Sequence, residues 1–340
     1  MIILTNCLSD VVDEGCLKVA NSLIDRIKKI KPETLVITYG ETGKQGDLHI
    51  QVNKLLLNGK LLGLLWKKKE PVLYVPAVAK GHTMAARVAI LSLAAGGGLQ
   101  VVQVMQHHTG KLAAFLLKIS KAEIIAFSNS SRQYYQNIVG SRSKYLKTGV
   151  DTGRFCPVDE DRKVQLKEKY GLPTDKPIVL HVGHLRTGRN VEQLLALDDT
   201  FHGVLVSSTY ASEMQERSLK QKLQASPNLT VLEGYLPNIE EIYQLADVYL
   251  FPVVKEHNCI DTPLSAMEAA ACNVPVVATP YGELKELLSE DGFYELESFE
   301  PDALNRLLHK ACEEKKQPRC HVLEYDWNLA VDQILSQNMK

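Results

Sequence analysis

The chain has 340 residues, enough for about two domains of ordinary size. Hydrophobic residues make up 45% and charged residues 23%, and 39 Lys+Arg against 40 Asp+Glu leave a net charge of -1. That balance argues against a protein that holds nucleic acid by its backbone, which calls for a basic excess. The seven cysteines are scattered, with no CxxC pair, so they suggest neither zinc nor a disulfide framework and fit a reducing, cytosolic compartment.

The chain opens on MIILTN and soon reaches Asp10, Asp13 and Glu14, without the basic region and long apolar stretch of a targeting segment. Ile2–Leu4 reads as a strand, followed by a helix whose apolar residues Leu17, Val19, Ala20, Leu23, Ile24 and Ile27 fall at helical spacing. Leu35–Thr38 is a second strand. Gly43-Lys44 lacks the rest of a Walker A loop. Asn53 to Lys69 is amphipathic with a basic end; it reads as a crossover helix with its lysines in water, and docking on an anionic membrane surface is the alternative. Val72–Val75 is the third strand. The uncharged run from Val88 to Met105 is broken by Gly96–Gly98 and two glutamines, so it reads as a buried helix, a glycine turn and a strand (Leu99–Met105) rather than a membrane span. Glu123–Phe127 and Lys144–Leu146 complete the first series.

From Asp151 to Lys176 the chain is polar and carries Pro157, Gly171 and Pro173, which suggests a hinge. Within it Asp159-Glu160-Asp161 has a DxD spacing, yet among Arg162, Lys163 and Lys167 it reads as a solvated charge run. The second series comprises strands Ile178–Val182, Gly203–Val206, Leu229–Leu232, Val248–Phe251 and Val274–Ala278, separated by helix-like segments. Unbroken apolar strands alternating with helices imply parallel sheets covered on both faces. The expected fold class is therefore α/β, two doubly wound domains. Ligands of such sheets bind beyond the carboxyl ends of the strands, so two facing domains would place a cleft between two rows of these ends.

Three loci sit at such ends. Gly183-His184-Leu185-Arg186-Thr187-Gly188-Arg189-Asn190 comes after a strand and precedes an expected helix Val191–Leu197, with Asn190 and Gln193 as a capping pair. Free N–H groups there, with His184, Arg186 and Arg189, suit an anion; the plainer reading is a basic surface loop. Cys259 to Cys272 contains Thr262 as N-cap with Pro263 at the first helical position. The helix beyond them is small and apolar, with Glu268 its single charge, either partnered in a buried setting or placed at the solvent edge. His107-His108 comes after the strand Leu99–Met105, where histidines can ligate metal, contact a substrate or satisfy buried hydrogen bonds.

These pieces resemble the glycosyltransferases of GT-B fold, most closely family 4, the retaining nucleotide-sugar transferases. The resemblance is carried by Ser128–Ile138 with Thr148–Pro157, by Leu232–Leu236 through Leu245–Pro252, by Glu268-Ala269 through Val274–Ala278, and by Gly282–Leu287. It implies two Rossmann-like domains facing across a cleft, at 1–155 (acceptor side) and 156–324 (donor side), with a C-terminal helix in 325–340 packing back on the first. Arg189 falls where the family has the lysine that pairs with the diphosphate, and His184 where it has an arginine. Glu268 matches the second Glu of the E-x7-E motif, which holds the ribose. The first Glu falls at Ile260, so Asp261 is the substitute for contacting the donor sugar. Leu236 lies where backbone reads the base, His108 (or His107) resembles the histidine near the sugar, and Gly183, Thr262, Pro263 and Leu264 fall on the donor side.

The resemblance thus implies a cytoplasmic, metal-independent, retaining transferase. It would move a sugar from a UDP- or GDP-sugar donor, with no other cofactor, to a hydroxyl acceptor on a sugar, a lipid-linked sugar or a small molecule. Arg189, His184 and a helix N-terminus would stabilise the departing pyrophosphate. No nucleic-acid partner is expected, and peripheral contact with the inner face of a membrane stays open. An epimerase of the same fold and a catalytically idle nucleotide-sugar binding module are the rival readings.

Overall fold

The computed structural model describes residues 1–12, 14–76, 81–103, 109–186, 188–207, 214–254, 259–289 and 291–337. The chain divides into two compact units, Met1–Thr148 with Trp327–Lys340, and Gly149–Asp326.

The first unit is built on parallel strands β1 (Ile2–Thr5), β2 (Leu35–Tyr39), β3 (Leu48–Ile50), β4 (Val72–Val75), β5 (Leu99–Gln103), β6 (Glu123–Ala126) and β7 (Ser143–Tyr145). Their order is β3-β2-β1-β4-β5-β6-β7, so the direction of winding reverses between β1 and β4. Helices α1 (Gly15–Ile30), α2 (Gly59–Lys68), α3 (Gly81–Ala94), α4 (Lys111–Ile119) and α5 (Asn129–Val139) make the crossovers. α2, α3, α4 and α5 pack side by side as one layer. Side chains within β1 and β4 are fully buried, as expected of strands covered on both faces. The run from Val88 resolves into the end of α3, a glycine turn and β5. Gly97 is confined there: a Cβ would strike the backbone of Lys69 and Glu70.

The second unit repeats the plan with β8 (Ile178–Val182), β9 (His202–Ser207), β10 (Leu229–Glu233), β11 (Val248–Phe251), β12 (Val276–Ala278) and β13 (Phe293–Glu295), ordered β10-β9-β8-β11-β12-β13. Its helices are α6 (Glu160–Lys169), α7 (Met214–Ala225), α8 (Ile239–Gln244), α9 (Leu264–Ala271), α10 (Leu284–Leu288), α11 (Pro301–Glu314) and α12 (Arg319–Val322). Alternate strand residues feed two cores, with Leu180, Tyr249 and Val276 on one face and Val179, Leu250 and Val277 on the other. The last helix, α13 (Trp327–Gln337), returns to the first unit and packs on α1, with Trp327 buried. Among the described residues no helix is long and apolar enough to cross a membrane.

Two features differ from the sequence reading. Strands β3 and β13 are additions to it; each has three residues and lies at a sheet edge, too short to register as a periodic run. The polar stretch 151–176 lies within the second unit, and by contact the units part at Thr148/Gly149 and Asp326/Trp327, beside the 155/156 and 324/325 of the sequence reading. Residues 149–155 belong with the second unit because Val150 N–H donates to Tyr325 O (3.3 Å) and Thr152 N–H to Asp326 Oδ2 (2.9 Å). Further along, α6 is held by Lys163 and Lys167, which pair with Asp247 at 2.6 and 3.2 Å.

Arg319 closes this junction. Its guanidinium donates to the carbonyls of Thr152 (2.9 Å), Phe155 (2.8 Å) and Ala271. Replacing it with Met leaves three carbonyls without their donor. Arg319→Met is expected to destabilise the second unit by about 3 kcal/mol, read from urea unfolding; an unchanged midpoint would contradict this role.

Candidate functional site

In the second sheet the winding reverses between β8 and β11, so the loops after these two strands meet at the switch point where open α/β sheets take their ligands. The chain stays in register as far as Gly183, whose N–H donates to Val206 O (3.0 Å). It then coils tightly, with Arg186 N–H to His184 O (2.9 Å) and Arg189 N–H to Arg186 O (3.0 Å). Two bonds fasten this loop to the one after β11: Asn190 Nδ2 donates to Pro252 O (3.0 Å), and Val254 N–H donates to Gly188 O (3.2 Å).

The expected capping pair is not formed. Asn190 adopts a left-handed conformation (φ 51°) and makes no cap bond, its side chain being engaged with Pro252. The chain continues as a 3₁₀ segment, Val191–Ala196, instead of an α-helix. A helix macrodipole at this loop is therefore withdrawn from the expected anion site; the two loops and their cations remain.

Arg189 is folded back beneath the loop and is only 9% exposed. A Cβ on Gly183 would stand 2.6 Å from its Nη1 and 3.1 Å from His181 Nε2, so the glycine leaves the room that the guanidinium occupies. His181, in the middle of β8, is fully buried, with Nδ1 2.8 Å from Leu250 O. That carbonyl can only accept, so Nδ1 carries the proton and Nε2 the lone pair. Burial, reinforced by the charge of Arg189, holds its pKa down to about 4, and at neutral pH the imidazole is uncharged.

The loop before α9 is shaped from outside. The Tyr281 hydroxyl accepts from Cys259 N–H (3.0 Å) and donates to Cys259 O (2.8 Å). Gly282, at φ +59°, lies so close to the Asp261 carbonyl that a Cβ would strike it, and Glu283 N–H donates to that oxygen (3.0 Å). Burial pushes the Tyr281 hydroxyl up to about 12; the charges of Cys259 and Asp261 add to the shift, and the hydrogen bond with the Cys259 backbone and the charge of Arg189 oppose it. Arg189, Cys259, Asp261 and Tyr281 thus share one local field.

Thr262 is buried but is not the N-cap. Pro263 takes that position, its carbonyl accepting from Ala266 N–H (3.1 Å) and Met267 N–H (3.2 Å), because α9 begins one residue later than expected. Leu264 and Met267 press against Gly149, where a Cβ would stand 2.8 and 2.9 Å from their side chains. Glu268 is 2% exposed, which overturns the solvent-edge placement. Its carboxylate lies beside Tyr243, whose hydroxyl is raised by burial first and by that carboxylate second.

Leu236 sits on the neighbouring loop after β10, half-buried against the core. This loop turns at Gly234 (φ +88°), whose N–H donates to Ser207 O (3.0 Å). Gly183, Arg189 and Asp261 are thus gathered at the switch point, with Thr262, Pro263 and Leu264 next in the chain and His184 half-buried on the first loop. His107 and His108 lie outside the described residues. Asp159 caps α6 by accepting from Arg162 N–H (2.8 Å), with Glu160 and Asp161 in the first turn, so the DxD run serves a helix end. Among the described residues no group of three or more His, Cys, Asp or Glu is placed to hold a metal. Sequence reasoning does not single out His181 or Tyr281. A lone histidine inside an apolar strand is the available signal for the first; nothing marks the second.

Residues 176–313 match the family model described as glycosyl transferases group 1. That segment spans the whole switch point. The chain is 25% identical over 197 residues to the putative teichuronic acid biosynthesis glycosyltransferase TuaC of Bacillus subtilis, covering 56% of this chain and 47% of that protein. It is 27% identical over 182 residues to the GDP-mannose-dependent alpha-(1-6)-phosphatidylinositol monomannoside mannosyltransferase of Mycolicibacterium smegmatis, covering 48% and 46%. The chain spans about half the length of these relatives. Among solved structures it resembles Anabaena Alr3699/HepE in complex with UDP and glucose (TM-score 0.75, 14% identity, 99% of this chain and 98% of that one). It also resembles a glycosyltransferase from Rickettsia africae ESF-5 (TM-score 0.76, 16% identity, 99% and 97%). The shared architecture is the GT-B fold of two Rossmann-like domains.

The group 1 segment yields two expected outcomes. His181 takes up a proton in the folded chain only near pH 4, against about 6.5 when unfolded. The stability it provides is therefore full above the unfolded value and is lost as pH falls from there through the folded one. His181→Asn, which keeps a donor toward Leu250 O, should lose less stability than wild type between about pH 7 and pH 5 in urea unfolding; parallel losses would remove His181 as a cause. Gly282→Ala is expected to destabilise by more than about 1 kcal/mol through strain and the collision with Asp261, and a wild-type melting temperature would contradict that.

Proposed function

We propose that the chain is a glycosyltransferase that moves a sugar from a nucleotide diphosphate sugar to an acceptor hydroxyl, with retention at the anomeric carbon and without a metal ion. The observation that carries this reading is the buried Arg189 at the switch point of the group 1 segment, with the Gly183 backbone close against it. Loss of the nucleoside diphosphate builds negative charge on its phosphates. A guanidinium fixed in advance, with little reorganisation left to make, stabilises that charge where water is scarce. His184 on the same loop would be the second group facing the diphosphate. His181 is neutral, so it adds no cation and shapes the pocket of Arg189 instead.

In this reading Asp261 and Glu268 contact the donor sugar and ribose, Leu236 presents its backbone to the base, and Gly183 with Thr262, Pro263 and Leu264 lines the donor side. His108 is assigned to the sugar by the resemblance alone. The donor is a UDP- or GDP-sugar: a structural neighbour is in complex with UDP and a relative is named GDP-mannose-dependent. The acceptor is a hydroxyl compound, in keeping with relatives named for inositol phosphate and phosphatidylinositol mannoside. The free cysteines fit a cytoplasmic protein, and peripheral contact with the inner face of the membrane is the second part of this placement.

The test is a thermal-shift screen against UDP, GDP, ADP and CDP and their sugars, with and without EDTA. A ligand of the folded state raises the melting temperature by mass action. A shift selective for one base and unaffected by EDTA is expected; no shift from any of them would overturn the reading. Arg189→Ala should weaken binding of the selected diphosphate by about 1.5–3 kcal/mol in calorimetry, and unchanged affinity would remove the residue from the site.

A further inference from the structure

The two units differ sharply in charge. Residues 1–148 carry 20 Lys+Arg against 9 Asp+Glu, whereas residues 149–326 carry 18 against 30. The excess is densest between residues 51 and 148, with 14 basic residues against Glu70 and Glu123 alone. This stretch includes the layer α2–α5 on one face of the first sheet.

The outer side of that layer is also apolar. Helix α4 buries Ala113 and Leu117 and presents Leu112 (68% exposed), Phe115 (58%) and Ile119 (54%), three residues at helical spacing along one stripe. On α3, which packs along α4, Leu93 is 85% exposed, and on α2 Trp66 is 67% exposed. Lys111 and Lys118 are exposed on α4 itself and Lys121 comes directly after it; among the described residues their ammonium groups have no acidic partner. Large apolar side chains are thus set among unneutralised lysines on one helical layer.

The geometry points to this face of the first unit as a docking surface for an anionic lipid bilayer. α4 lies in the interface, with Leu112, Phe115 and Ile119 entering the acyl boundary and Lys111 and Lys118 meeting the headgroups. Each half of the pattern excludes a rival. A nucleic-acid backbone would match the lysines, yet leaves leucine and isoleucine with nothing to bury against. A second copy of this chain would bury the apolar stripe but oppose one lysine-rich face to another. An anionic membrane satisfies both, the apolar side chains by burial and the lysines by the surface potential. The inference deepens the placement at a membrane face. It gives that contact to α3 and α4 in addition to the basic end of α2, and it uses no feature of the donor loops.

The test is co-sedimentation of the full chain with phosphatidylglycerol-containing vesicles and with vesicles of phosphatidylcholine alone, beside analytical ultracentrifugation of the free protein. Binding is expected to the anionic vesicles only and to weaken with added salt. Leu112→Ser with Phe115→Ser and Ile119→Ser, all solvent-facing, should weaken it at least about tenfold. Lys111→Glu with Lys118→Glu should do the same, at about tenfold or more. Both variants should keep the wild-type melting temperature and the thermal shift with the nucleotide diphosphate. That second reading separates failure of the membrane surface from failure of the donor assignment. Absence of binding, or equal binding to neutral vesicles, would overturn the inference. So would a serine variant that binds as wild type, which would mean polyanion adsorption. A dimer in solution that the serine variant dissociates would also overturn it, in favour of self-association.

Discussion

An arginine does not shed its charge at any pH a protein experiences, so burying Arg189 constrains everything near it. His181 beside it has to be neutral, and the carbonyl of Leu250 fixes which nitrogen carries the proton. Glycine at position 183 leaves the guanidinium its place, from which a methyl group would push it. Asn190 has to turn left-handed so that the chain can leave the loop while its side chain ties to Pro252. These requirements come from three different strands and loops, yet they serve one group. A cation desolvated by the protein in advance is the condition for strong transition-state charge stabilisation, and this is the part the proposed function gives to Arg189.

The loop after β11 is fixed by a different device. There the backbone is gripped: Tyr281 brackets both polar groups of Cys259, and Gly282 with Glu283 closes on the Asp261 carbonyl. Asp261 thus has its main chain determined by residues about twenty positions later, across β12. A side chain on so constrained a backbone can be aimed without a long, flexible arm. Such rigidity is what the proposed contact of Asp261 with a donor sugar requires if binding is to discriminate.

Much of this is legible in the sequence, for a simple reason. A strand buried on both faces has to be continuously apolar, so β1, β4, β8 and β11 announce themselves, and the loops after β8 and β11 with them. Edge strands β3 and β13 lack that requirement and leave no such mark. The cap at Asn190 is misleading because a residue that favours N-caps also favours the left-handed region, and local sequence does not say which applies. The stretch 151–176 reads as a hinge because polar composition marks solvent exposure. Helix α6 is mostly exposed, but it is bound through Lys163 and Lys167 to Asp247, some eighty residues away. Tyr281 owes its place to a contact with Cys259 that the spacing of residues does not encode.

Charge shows most plainly what an average conceals. The whole chain is nearly neutral, which on its face argues against any strongly anionic partner. Yet the near-neutrality is a cancellation between a basic first unit and an acidic second one. Ionic screening confines a surface charge to about 8–10 Å, so a partner touching α3 and α4 experiences the lysines set there and not the average over the chain. The same locality works in reverse at the switch point. The acidic unit holds the loop with Arg186 and Arg189, and the distant acids do not cancel a guanidinium buried behind Gly183. Net charge therefore bears on solubility and long-range encounter, while recognition in both units is decided within a few ångströms, by which charges are fixed and what else is exposed beside them.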